Sequence, residues 1–147
     1  YDTVISQIQE YLDQGEYGEL FEYGEYYHLT DSEKGKFADY YNVFWCAWRY
    51  DRTAGDMDSY LRSQDYEDQS IRDSYLQSLA DSLSSFYQES WPDQYPEEMR
   101  SIYETMRTRM GELLEERIGL SEETVEELDG MTSARIAKLL RERGQAE

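Results

Sequence analysis

The sequence predicts an all-α fold, a compact multi-helix bundle with a C-terminal helical hairpin. Three observations carry that expectation. Apolar residues recur at helical spacing through nearly the whole chain. No segment alternates with period two for long, so no sheet is expected. Aromatic residues reach 15%, with 15 Tyr, 4 Phe and 3 Trp. That is core material which a disordered chain of high charge would lack. At 147 residues the chain has the length of one ordinary domain and needs no disulfide or metal to bury a core.

Each element follows from the spacing. Val4, Ile5, Ile8, Tyr11 and Leu12 share one helical face, and Gly15 and Gly18 weaken or end that helix. Leu20, Phe21, Tyr23, Tyr26 and Tyr27 predict a second helix, interrupted by Gly24. Thr30 or Asp31 then reads as an N-cap, with Glu33 in the first turn. Phe37, Tyr40, Tyr41, Phe44, Trp45 and Trp48 form a wide aromatic stripe, expected at the centre of the core. Gly55 marks a break, followed by a short helix with Met57, Tyr60 and Leu61. A long helix holds Ile71, Tyr75, Leu76, Leu79, Leu83, Phe86 and Tyr87. Pro92 and Pro96 separate it from the next, with Pro96 suited to a first turn. Met99, Ile102, Tyr103, Met106, Met110, Leu113, Leu114 and Ile118 continue on one face.

After Gly119 the character changes. Ser121 is placed to cap a short helix with Val125 and Leu128, and Asp129-Gly130 makes a turn. Thr132 or Ser133 caps a last helix with Ile136, Leu139 and Leu140, which Gly144 ends. Residues 1–118 are therefore expected to form an acidic, aromatic-rich helical body. Residues 119–147 are expected to form a helix-turn-helix-like hairpin packed on it.

The formal charge is −19, from 33 acids against 14 Lys plus Arg. Self-repulsion of that size destabilises a compact state, so the charge calls for a use or for a screening medium. It is uneven: residues 1–33 hold nine acids and neither Lys nor Arg. Only Lys34, Lys36 and Lys138 are lysines, a Lys-poor balance resembling that of proteins from salt-loving organisms. The single cysteine, Cys46, excludes an internal disulfide, and its aromatic neighbours predict a buried core thiol. No 18-residue apolar run or signal peptide is visible, so the expected location is cytoplasmic and off the membrane.

Two acidic groups are the candidate partner-binding residues. Asp13, Glu16, Glu19, Glu22 and Glu25 recur every three residues. On a helix, side chains three apart are neighbours at about 5–6 Å. Each step of three rises about 4.5 Å. One DNA strand carries a charge every 3.4 Å or so. A carboxylate row of this density can present charge much as phosphates do, although strict threefold spacing curves around the helix. The second group is Asp56, Asp58, Asp65, Glu67 and Asp68. A solvated acidic face is the plain alternative for both. The tyrosines Tyr26, Tyr27, Tyr40, Tyr41 and Tyr50 add amphipathic rings that either fill the core or pack against a partner.

Other chemistries find little support. The acids show no EF-hand pattern, and Glu25-Tyr26-Tyr27-His28 is a single Glu-x-x-His where a di-metal bundle needs two. No metal, cofactor or catalytic residue is expected. His28, the only histidine, has no nucleophile motif beside it and reads as a surface or capping residue. Glycine-rich nucleotide loops are absent. In the tail, Arg135, Lys138, Arg141 and Arg143 give the last helix the basic look of a recognition helix, although the macrodipole also favours cations there.

In charge and size the chain resembles the acidic proteins that phages and mobile elements use against restriction or CRISPR systems. No alignable motif underlies the resemblance. What it implies is a non-enzymatic DNA mimic that occupies the basic groove of a nucleic-acid-binding protein. The alternative is a helical adaptor or structural subunit of a salt-adapted organism, with self-association open. A third reading is DNA binding through the C-terminal hairpin.

Overall fold

The computed structural model describes residues 2–30, 37–88, 93 and 95–146. Those residues form seven α-helices and no strand. They are α1 (Asp2–Gln14), α2 (Tyr17–Tyr26), α3 (Tyr41–Ser63), α4 (Gln69–Phe86), α5 (Arg100–Leu113), α6 (Glu122–Glu126) and α7 (Ser133–Ala146). Short 3-10 turns, Ala38–Tyr40 and Glu97–Met99, lead into α3 and α5. A π-turn, Leu114–Ile118, closes α5. The all-α expectation holds. No helix among the described residues is long and apolar enough to cross a membrane.

The central element is α3, which packs against α2, α4 and α5. α2 runs antiparallel to it: Tyr17 meets Tyr50 edge to face at 4.5 Å between centroids, and Phe21 lies between Trp45 and Trp48 at 5.2 and 6.2 Å. The seam is tight because glycine faces α3. A Cβ on Gly24 would stand 2.9 Å from the Phe44 ring, and one on Gly18 would stand 2.8 Å from Asp51. α4 joins the other side through polar contacts, with Thr53 Oγ1 donating to Ser82 O at 3.4 Å and Arg49 Nε to Ser85 Oγ at 3.1 Å. α7 lies on α4, where the Gln77 amide donates to Ser133 Oγ at 3.1 Å.

One buried cluster runs from Ile8 on α1 through Phe44, Met57, Leu83, Phe86 and Met110 to Ile136 and Leu140 on α7. Cys46 lies wholly inside it. The cluster is continuous across residues 118 and 119, because Leu128 and Met131 belong to it as fully as Leu114 does.

Several local expectations are corrected. Gly55 does not break a helix: α3 continues through it to Ser63. One glycine costs a helix only about 1 kcal/mol, less than the packing gained by Met57 and Tyr60 on the far side. The residues 38–40 form a 3-10 turn instead of the start of α3. Within the aromatic stripe only Phe44 is fully buried, while Trp45 and Trp48 are half-buried. Three helices surround α3, so its buried face widens to Val43, Cys46 and Ala47, and the tryptophans flank the α2 seam. Gly144 does not end α7, which runs to Ala146. Gly18 sits inside α2. Ser121 caps α6 as expected, accepting from Thr124 N at 3.2 Å, and Thr132 caps α7 through Arg135 N at 3.2 Å. Asp31, Glu33 and Pro92, named above as cap, first turn and break, lie outside the described residues.

Candidate functional site

The first acidic group lies on the α1–α2 pair. It is not one helical row. Gly15 takes a left-handed conformation, φ +70°, and turns the chain between Asp13 and Glu16. Gly15 N donates to Leu12 O at 3.2 Å and Glu16 N to Tyr11 O at 3.0 Å, so two of the carbonyls at the end of α1 are satisfied. The guanidinium of Arg109, from α5, lies where a Gly15 side chain would be, and donates to Tyr17 Oη at 2.9 Å. A cation at the end of α1 suits the negative pole of that helix.

All five carboxylates, Asp13, Glu16, Glu19, Glu22 and Glu25, are exposed, as are Asp2 and Glu10. No cation forms an ion pair with any of the five among the described residues. Asp13 instead accepts from the neutral Gln9 amide at 2.8 Å, one turn back. The same tie recurs on α4, where Gln69 donates to Asp73 at 3.0 Å and Gln77 to Asp81 at 2.9 Å. The buried face of α2 is Tyr17, Leu20, Phe21 and Gly24. By helical spacing Glu19, Glu22 and Tyr26 share the face turned away from it.

Beside these acids runs a ladder of tyrosine rings. Tyr11 and Tyr23 are 5.8 Å apart between centroids, Tyr23 and Tyr27 4.9 Å, and Tyr27 and Tyr26 4.9 Å. Tyr26 is 77% exposed and Tyr27 55%. Tyr40, Tyr41 and Tyr50 are half-buried, with Tyr50 wedged between Tyr17 and Phe86. Of the tyrosines singled out from sequence, only Tyr26 and Tyr27 are surface residues. His28 closes α2 in a left-handed conformation, φ 58°. Its N–H donates to Glu25 O at 3.1 Å and Leu29 N to Gly24 O at 2.7 Å, which makes it the capping residue its position suggested.

The structure adds one acid that the spacing did not reveal. Asp51 on α3 lies against Gly18 and beside Glu19. Although the residue is exposed, desolvation on its packed side raises its carboxyl above the usual value, and the charge of Glu19 pushes it further. No sequence signal joins residues 19 and 51, since only the antiparallel seam brings them together.

The second group lies on α3 and in the connection from α3 to α4. It divides among local tasks. Asp68 is the N-cap of α4, accepting from Ser70 N at 2.8 Å and Ile71 N at 3.4 Å. Asp56 takes a hydrogen bond from Ser82 Oγ and lies 4.0 Å from Arg52 Nε. Asp58 pairs with Arg117 at 2.6 Å, tying α3 to the π-turn. Asp65 and Glu67 are exposed in the α3–α4 connection.

Elsewhere, Glu112, Glu115, Glu122 and Glu126 line an open groove of 380 Å³ between α5 and α6, with Arg107 among its lining residues. That guanidinium pairs with Asp129 and lies over the Tyr87 ring at 5.6 Å. On α7, Arg135, Lys138 and Arg141 are exposed, and Lys138 lies 3.9 Å from Glu142. The Arg143 guanidinium sits against Gly119, a second left-handed glycine at φ +74°. Among the described residues no three His, Cys, Asp or Glu converge to hold a metal ion. No known family, curated protein or solved structure matches the chain.

Proposed function

We propose that this chain is an acidic protein-binding module whose α1–α2 face docks on the basic surface of a nucleic-acid-binding protein, in the manner of a DNA mimic. One observation carries the reading. Asp13, Glu16, Glu19, Glu22 and Glu25 are all exposed on one helical pair, with no cation paired to any of them among the described residues. Like charges at i,i+3 and i,i+4 destabilise a helix, so a face that keeps them favours an external use. Such a face attracts a basic partner at long range and speeds association. Asp65 and Glu67, also exposed, would add to the field; Asp56, Asp58 and Asp68 already serve the fold.

The test is capture of a nucleic-acid-binding protein from nuclease-treated lysate at moderate salt, followed by competition with duplex DNA. Glu16, Glu19, Glu22 and Glu25 are then reversed together to Lys. Competition by DNA, and a loss of association rate of about tenfold or more in the reversed protein, would support the mimic. Binding indifferent to the reversal would refute it and leave the helical adaptor, with the acidity serving the medium. A shift of duplex DNA by the unmodified protein would instead favour the C-terminal helix as a DNA reader.

A further inference from the structure

The acidic face ends in aromatic rings. Carboxylates attract both lysine and arginine through charge, and the guanidinium fork adds bidentate pairing. An exposed aromatic ring favours arginine, whose planar, weakly hydrated guanidinium stacks on it while its edge donates to a carboxylate. α2 offers both groups one turn apart. Glu22 and Tyr26 are i,i+4 neighbours, as are Glu19 and Tyr23, while Tyr23 and Tyr27 lie 4.9 Å apart. Tyr26 and Tyr27 meet edge to face at 78°, and at 77% and 55% exposure they leave ring surface open to solvent.

The chain's own arginines use this chemistry internally. Arg109 lies over Tyr17 at 5.7 Å, Arg107 over Tyr87 at 5.6 Å and Arg52 over Trp48 at 5.3 Å. Arg107 adds a carboxylate from Asp129 at its edge. The end of α2 repeats the aromatic and acidic halves of that arrangement, with the rings of Tyr26 and Tyr27 open to solvent.

We propose that Tyr23, Tyr26 and Tyr27, with Glu19, Glu22 and Glu25, form an arginine-selective docking surface, and that its occupant is an arginine-bearing segment of the partner protein. The inference rests on the acidic-docking reading above and adds the identity of the cation. The carboxylates supply attraction, and the rings supply preference and a contribution that persists when salt screens the charges.

The experiment compares two fluorescent peptides of equal length and charge, four Arg-Gly repeats and four Lys-Gly repeats, titrated against the intact protein by anisotropy at low and moderate salt. The arginine peptide should bind about three- to tenfold more tightly, with the preference growing as salt rises. The Y26A/Y27A pair should lose about five- to tenfold for the arginine peptide and little for the lysine peptide. The Y26F/Y27F pair should keep the preference, since the ring face and not the hydroxyl carries it. Both positions are exposed, and circular dichroism establishes that the variants fold. Equal binding of the two peptides, or an unchanged preference in Y26A/Y27A, overturns the arginine surface. If the four-charge reversal still abolishes binding in that case, the acidic-docking reading stands alone. Absence of binding by either peptide overturns both.

Discussion

Asp51 of α3 lies against Gly18 of α2 and feels the charge of Glu19. Its folded-state carboxyl titrates above the ordinary value, so between the ordinary and raised values the folded protein binds more protons than the unfolded chain. Stability therefore falls as pH rises through that window, and the full penalty is present at neutral pH. Asp51→Asn should raise the melting temperature by roughly 1–2 °C at neutral pH, a modest gain because the group is partly solvated. The gain should vanish below the ordinary carboxylate range, where both side chains are neutral. A melting series against pH checks the sign; a gain that grows toward acid would contradict it. Gly15 is the opposite case, a residue whose lack of a side chain the fold uses twice. Gly15→Ala meets both the left-handed backbone and the Arg109 guanidinium. It should cost about 1–2 kcal/mol in urea unfolding, and more if Arg109 loses its bond to Tyr17.

The helices separate two kinds of glycine that look alike in sequence. A Cβ on Gly55 would meet nothing within 4 Å, whereas one on Gly24 would press the Phe44 ring. Gly55→Ala should stabilise by about 0.5–1 kcal/mol through helix propensity alone. Gly24→Ala should destabilise by about 1–3 kcal/mol, because α2 must lift from α3. Denaturant midpoints of the two variants should move in opposite directions. This contrast also marks what the sequence made legible. α1, α4 and α5 could be read because Ile8 and Leu12, Leu76 and Leu83, and Met106 and Met110 each keep one buried face at helical spacing. Gly55 and Gly144 misled, because a local propensity is weaker than the packing on either side. The Asp68 cap was hidden among Asp65, Glu67 and Asp68, although it stands three residues before Ile71, where the apolar period begins. The acids of α1–α2 were visible as charges, and the break at Gly15 was half visible as a glycine. Asp58 pairs with Arg117, and Glu19 repels Asp51, across the fold where no spacing announces either contact.

Across the whole molecule, a formal charge of −19 stands against four ion pairs among the described residues, and two of those are single helical turns. Screening should therefore stabilise the fold. Raising salt from about 10 mM to about 150 mM should raise the melting temperature by roughly 5 °C. A protein that uses its charge for docking should already be folded at the lower value, whereas one adapted to a saline medium should remain loose until near 1 M. Circular dichroism across that range distinguishes the two. The glutamine ties add a further consequence. Gln9, Gln69 and Gln77 steady Asp13, Asp73 and Asp81 without discharging them. Each of these carboxylates keeps its share of the cloud of small cations from solution. A basic partner settling on α1 and α2 would set free the ions held by Asp13 and the glutamates beside it, and the entropy of their dispersal would help drive the union. Where lysines in those positions would have discharged the surface beforehand, the amides leave that gain to the moment of contact.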